Sequence, residues 1–136
     1  MANDERFLPG DDLHGYLTNY PQEISFGDEP AEDVFDRYHT PDYVLYNDGL
    51  PLDREKLLAH VRPVRKRASR IYVEVHDTVR QDDRVAARYT LGAVMRKGGN
   101  TIVTEIYLFG QLAADGRLQR GDQISRTLPA GESPSE

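Results

Sequence analysis

Six side chains in this sequence have the type and placement to do chemistry: Asp122, Arg88, Tyr46, Asn47, His60 and Tyr107. Asp122 is the leading one. A single carboxylate at a core-facing strand position is disfavoured in its charged form, and its pKa can rise into the range useful for proton transfer. His60, beside Val61 on a helix, could reach a cavity as a base, with a solvent-facing or merely hydrogen-bonded ring as the plainer reading. Tyr43, Tyr46, Tyr89 and Tyr107 suit a cavity wall that needs both a ring and a hydroxyl, and they suit an ordinary core equally well. No pair of residues has metal-ligand spacing such as His-Glu-x-x-His, and no phosphate-binding glycine loop occurs, so no metal or other cofactor is expected.

The facing of Asp122 follows from turn chemistry. Ala114-Asp115-Gly116 suits a three-residue hairpin loop with glycine in the left-handed position, pairing Ala113 with Arg117. Leu108 then sits opposite Asp122, Ile106 opposite Ile124 and Leu112 opposite Leu118, an apolar face with one carboxylate in it. The alternative is that Asp122 pairs with a neighbouring arginine or lies on the outer face after a bulge. For Arg88 the turn Lys97-Gly98-Gly99-Asn100 decides. A two-residue turn puts Arg88 with Glu105 and Tyr107, leaving Tyr89, Leu91, Ala93 and Met95 on one face; a three-residue loop puts Arg88 and Thr90 with Asp122.

The elements that carry these residues change period along the chain. Residues 11 to 20 place Leu13, Tyr16, Leu17 and Tyr20 on one helix face. Ala31, Val34, Phe35 and Tyr38 predict a second helix, with Asp28 as a possible N-cap, Pro30 in the first turn and Pro41 beyond its end. Residues 42 to 47 read as a short strand and Asn47-Asp48-Gly49 as a turn. Asp53 caps a third helix lined by Leu57, Leu58 and Val61, and Pro63 should kink or end it. From residue 71 the period is two: Ile71, Val73, Val75 and Val79 alternate with polar residues, and runs 83 to 96, 101 to 113 and 117 to 128 follow as an antiparallel meander. Helices first and a long antiparallel sheet afterwards give an α+β domain with one sheet face covered by helices.

The 136 residues leave room for one domain, expected over residues 1–128, with the tail 129–136 disordered. The chain has no cysteine, which excludes disulfides and thiolate chemistry. Its start is polar and lacks the apolar run of a signal peptide, and no stretch approaches a membrane span, so a cytoplasmic protein is expected. A formal charge of −6 argues against nucleic acid as the main partner. The basic run Arg62, Arg65, Lys66, Arg67 and Arg70 could meet an anionic partner such as a phosphopantetheine arm or an acidic carrier protein, or could simply complement a helix dipole.

Phe35-Asp36-Arg37-Tyr38 before Pro41-Asp42-Tyr43-Val44, then Asp53 to Leu58, Val85 to Thr90 and Asp115-Gly116-Arg117-Leu118, resemble the SnoaL-like branch of the nuclear-transport-factor-2-like cone folds over about residues 28 to 128. The resemblance implies a curved antiparallel sheet wrapped around a pocket roofed by the N-terminal helices, and often a homodimer through the outer sheet face. In limonene-epoxide-hydrolase relatives an arginine on this strand bridges two aspartates, and Arg88 and Asn47 fall at matching places. Thr90 stands where the second aspartate would be, Leu45 where a tyrosine would be, and Asp122 is about one residue off. Ketosteroid isomerase relatives need a carboxylate near Asn47, which only Asp48 could supply. The SnoaL-type polyketide cyclases need one acid or base on a late strand and a shaped apolar cavity, and the resemblance implies that Asp122 would shuttle the proton while Tyr46, Asn47 and Arg88 orient oxygens on the substrate. The expected function is therefore binding of a small hydrophobic secondary-metabolite intermediate, with ring closure or related acid–base chemistry. A non-catalytic ligand-binding or dimerising module and an epoxide hydrolase are the alternatives.

Overall fold

The computed structural model describes residues 7–128; the expected tail lies outside them. Two aspartates start two of the helices. Asp12 accepts a hydrogen bond from Gly15 N at 2.9 Å at the head of α1 (Leu13–Phe26). Asp53 accepts one from Lys56 N at 3.0 Å at the head of α3 (Arg54–Arg67). Each satisfies a backbone donor that the first turn leaves open. Between them, α2 (Ala31–Tyr38) has Pro30 at the cap position and no side-chain cap, so the expected role of Asp28 is corrected. Two boundaries also change. α1 continues past residue 20 through Pro21, and α3 runs through Pro63 to Arg67 rather than ending there. Each proline removes one intrahelical bond, and the apolar residues on both sides of it, Leu17 and Ile24 in α1 and Val61 and Val64 in α3, keep the helix seated on the cavity wall.

The strands are β1 (His39–Asn47), β2 (Leu50–Asp53), β3 (Ala68–Gln81), β4 (Arg84–Met95), β5 (Thr101–Leu112) and β6 (Leu118–Thr127). They form one curved, unclosed sheet in the order β2-β1-β6-β5-β4-β3. β3 to β6 are the expected antiparallel meander, but β1 lies parallel to β6, so the sheet is mixed. Asp48 and Gly49 turn β1 into β2 with φ of 51° and 88°, the left-handed pair that a two-residue hairpin requires.

Two bulges decide which side chains face the helices. The hairpin after β5 forms as expected: Ala113 N donates to Arg117 O at 2.8 Å and Gly116 has φ 91°. One extra residue then enters β6, so Leu112 pairs with Leu118 but Gln111 pairs with Arg120. Because strand facing has period two, that insertion reverses everything beyond it. Leu108 faces Gln123, not Asp122, and Ile106 faces Ser125, not Ile124. A second bulge between Val75 and Asp77 sends Val79 to the outer face, where it is 64 % exposed.

The core lies between the inner sheet face and α1 and α2. Val34, Phe35 and Tyr38 of α2 are buried against Val85, Leu108 and Leu118 of the sheet. Polar bonds fix the helices to each other: the Tyr38 hydroxyl donates to both Glu23 carboxylate oxygens at 2.9 Å, and Arg54 makes a paired contact with Asp36 at 2.8 and 2.9 Å.

Candidate functional site

Past that core the curved sheet and the helices separate enough to leave a cavity of about 450 Å³. α1 supplies Tyr16, Tyr20 and Ile24, α3 supplies Leu57, His60, Val61 and Val64, and the inner sheet face supplies Tyr43, Leu45, Ile71, Tyr89, Leu91, Ala93, Ile106 and Gln123. The polar members of the wall are phenols, imidazoles, an amide and a serine; among the described residues, no Asp, Glu, Lys or Arg lines it. A larger surface groove of about 570 Å³ is lined by Glu29, Asp33, Asp36, Arg37, Asp115 and Arg117. Within it Arg37 pairs with Glu29 and Arg117 with Asp115 at 2.8 Å, and it offers an apolar molecule little to bury.

His39 is the most constrained polar group in the cavity wall. It follows α2 directly, and its Nδ1 lies 2.9 Å from Phe35 O. A carbonyl only accepts, so Nδ1 carries the proton and Nε2 the lone pair. The Tyr16 hydroxyl donates to that Nε2 at 2.6 Å. Burial lowers the His39 pKa to about 4, against the opposing pull of the Phe35 carbonyl and Asp36. His39 is thus a fixed neutral ring, stacked on Phe35 at 4.3 Å, and not a base at neutral pH.

The tyrosines carry the opposite polarity. Burial pushes Tyr43 and Tyr89 well above the usual phenol value, with Tyr89 and Asp122 adding to the shift at Tyr43. Both remain protonated donors. Gly121 makes room for one of them, since a Cβ there would lie 2.7 Å from the Tyr43 hydroxyl. Gln123 donates to Asn47 Oδ1 at 3.0 Å, which leaves its own carbonyl oxygen as an acceptor. His60 is exposed at the rim, and among the described residues it makes no hydrogen bond. Also among the described residues, no group of three or more His, Asp or Glu side chains comes together as metal ligands.

The residues singled out in the sequence divide between the two faces. His60 lines the cavity, and Asn47 touches it through Gln123. The core-facing position expected for Asp122 is corrected. The bulge turns it outward, half-exposed, where it pairs with Arg120 at 3.0 Å. Arg88 takes the two-residue-turn facing, opposite Tyr107, and binds Asp77 at 2.9 Å on the outer face. Tyr107 is exposed there, and Tyr46 lies outside beside Asp122, with the Arg120 guanidinium 4.3 Å from its ring centroid. Asp122, Arg88, Tyr46 and Tyr107 therefore do not line the cavity.

The sequence pattern of the SnoaL-like domain family matches residues 27–121, most of the chain. This chain belongs to that family. Solved structures agree on the fold. PrhC from Penicillium brasilianum is 16% identical, with 86% of this chain and 82% of that one covered and a TM-score of 0.67. IdmH from Streptomyces antibioticus, a candidate polyketide cyclase, is 21% identical over 86% of this chain and 91% of its own, with a TM-score of 0.63. A protein of ketosteroid isomerase-like fold from Catenulispora acidiphila, solved with trimethylamine, is 10% identical over 82% of each chain, with a TM-score of 0.59. No curated protein matches the sequence significantly.

Within this SnoaL-like domain, sequence reasoning missed His39, Tyr16, Tyr20 and Gln123. The signals were present. Tyr16 and Tyr20 sit one helical turn apart on the apolar face of α1, and their rings stack at 5.3 Å. Gly110 and Gly121 pair directly across β5 and β6, and glycine inside a strand often marks a bulge or a close approach. That pair was the clue to the shifted register that brings Gln123 inward.

Proposed function

We propose that this SnoaL-like domain takes up a small, uncharged, mostly apolar molecule bearing carbonyl or hydroxyl oxygens and moves a proton on it through His60, a cyclase-type acid–base step. The single observation that carries this reading is the composition of the cavity wall: apolar surface, phenol, imidazole and amide hydrogen-bonding groups, and, among the described residues, no carboxylate, ammonium or guanidinium. An apolar ligand burying about 200 Å² would gain about 5 kcal/mol before the entropy cost of binding. The imidazole at the rim takes a proton from an acidic C–H or O–H of the ligand. The protonated Tyr43 and Tyr89 donate to the oxygen on which charge then develops, and a low-dielectric wall strengthens those bonds. Candidate polyketide cyclases among the structural neighbours support the same class. The epoxide-hydrolase alternative gains no support, because it needs carboxylates and an arginine that here lie outside the cavity.

Isothermal titration with 1-naphthol, a neutral two-ring probe, tests the location. Ala93→Trp fills the cavity and should weaken binding at least about tenfold. The Arg88→Ala/Asp122→Asn pair should leave it within about twofold, since both groups are in exposed ion pairs. The reverse pattern would move the site to the outer face.

The same proposal includes a homodimer through the outer face. Phe109, Ile124, Val79 and Tyr107 are exposed there at 69%, 67%, 64% and 46%. Large apolar side chains gathered on one sheet face mark an association surface. Phe109→Lys should shift sedimentation equilibrium from dimer toward monomer; a wild type that sediments as a monomer at every concentration would contradict this.

A further inference from the structure

The end of the cavity formed by Val64, Ile71 and Ala93 adjoins a one-sided cluster of cations. Ala68 pairs with Met95 and Arg70 with Val94, and Arg96 N donates to Arg67 O at 2.7 Å. This pairing joins two segments, residues 61–73 and 91–104, that contain no Asp or Glu. Together they carry Arg62, Arg65, Lys66, Arg67, Arg70, Arg96 and Lys97. Arg65 is committed to the Ile24 carbonyl at 2.6 and 2.9 Å. The other six are exposed, and among the described residues none has an ion pair or a side-chain hydrogen bond. Arg70 alone has a ring contact, 5.4 Å from the centroid of Tyr72.

The arginines elsewhere in the described residues are all engaged. Arg37, Arg54, Arg84, Arg88, Arg117, Arg120 and Arg126 face carboxylates, and Arg80 donates to the carbonyls of Gly10 and Asp82. In a chain of formal charge −6, the cations left over among the described residues are, apart from Lys56 in the first turn of α3, concentrated at one place. The C-terminus of α3 does not account for them, because a helix end carries only about half a negative charge. Six like charges repel one another until an anion arrives.

We propose that this cluster is an anion site that serves the cavity. Its ligand has two halves: a neutral apolar body inside the cavity and a phosphorylated tail lying on Lys66, Arg67, Arg96 and Lys97, with Arg70 adding charge from the outer face of the same sheet edge. This rests on the cavity being the ligand site. Acyl thioesters of phosphorylated pantetheine and prenyl diphosphates share that chemistry.

Two matched probe pairs test it by titration calorimetry: octanoyl-coenzyme A against S-octanoyl-pantetheine, and geranyl diphosphate against geraniol. In at least one pair the phosphorylated probe should bind about tenfold or more tighter at low salt, with the advantage shrinking at about 0.3 M salt. The pair that shows it identifies the source of the phosphate. The triple variant Lys66→Gln/Arg67→Gln/Arg96→Gln should lose the advantage while keeping its affinity for the neutral twin. Equal affinities within both pairs would overturn the anion site and leave the cavity reading standing. Failure of all four probes to bind would count against both. Coenzyme A binding as tightly as its octanoyl thioester would show an anion site unconnected to the cavity and also overturn the proposal.

Discussion

Replacing His60 with glutamine is expected to cut proton abstraction in the cavity by about 10² to 10⁴-fold while leaving ligand affinity within about twofold. The convenient substrate is 5-nitrobenzisoxazole, a neutral aromatic carbon acid whose ring opens when a base removes its single acidic proton. Among the cavity-lining residues, His60 and His39 are the imidazoles. The His39 lone pair is occupied by Tyr16, and burial holds its pKa to about 4. The proposed base is therefore His60. The phenols cannot substitute for it, because burial raises Tyr43 and Tyr89 further from neutrality. The His60→Gln variant keeps a hydrogen-bonding side chain of similar reach at an exposed helix position, so folding should be unaffected. A rate unchanged in His60→Gln would remove the catalytic half of the proposal and leave a binding module.

The second large effect concerns stability and acid. His39 has an ordinary value of 6.5, lowered to about 4 in the folded protein, with burial as the main cause. Above pH 6.5 the ring is neutral in both folded and unfolded chains. As pH falls toward 4 the unfolded chain binds a proton that the folded chain refuses, so stability declines by up to about 1.4 kcal/mol per unit, about 3 kcal/mol in all. Below that the two states are protonated alike and the loss stops growing. Asp36 and Arg117 act on the ring in opposite directions, Asp36 favouring the charged form and Arg117 opposing it. Urea unfolding of the wild type and of His39→Gln at pH 7 and pH 4 isolates the effect, because every other titratable group is present in both proteins. The wild type should lose about 3 kcal/mol more than the variant. Equal losses would mean that His39 opens to water in the folded state.

The residues show why the fold was easier to read than the site. Periodicity identified α2, β4 and β5 to within a residue or two, and the Asp53 cap and the Asp48-Gly49 turn follow from local chemistry that tertiary packing left intact. The parallel pairing of β1 with β6 is non-local and left no mark in the spacing of either strand. The site failed at one point. Facing along a strand alternates, so a single inserted residue in β6 was enough to exchange Asp122 for Gln123 and Ile124 for Ser125. Val79 changed face for the same reason at the β3 bulge. The Arg88 facing was legible only as two options, and the facing favoured by apolar count is the one observed, through a loop over residues 96–99 rather than a two-residue turn. His60 does line the cavity, because helix facing depends on spacing over several turns and does not reverse with one residue.

A crystal structure of the chain with 1-naphthol bound tests the central claim most directly. The account predicts the rings between α1, α3 and the inner sheet face, against Leu91 and Ile106, with the hydroxyl toward His60, Tyr43, Tyr89 or Gln123. A ligand seated instead on the outer face, against Phe109 and the Arg120–Asp122 pair, would contradict it.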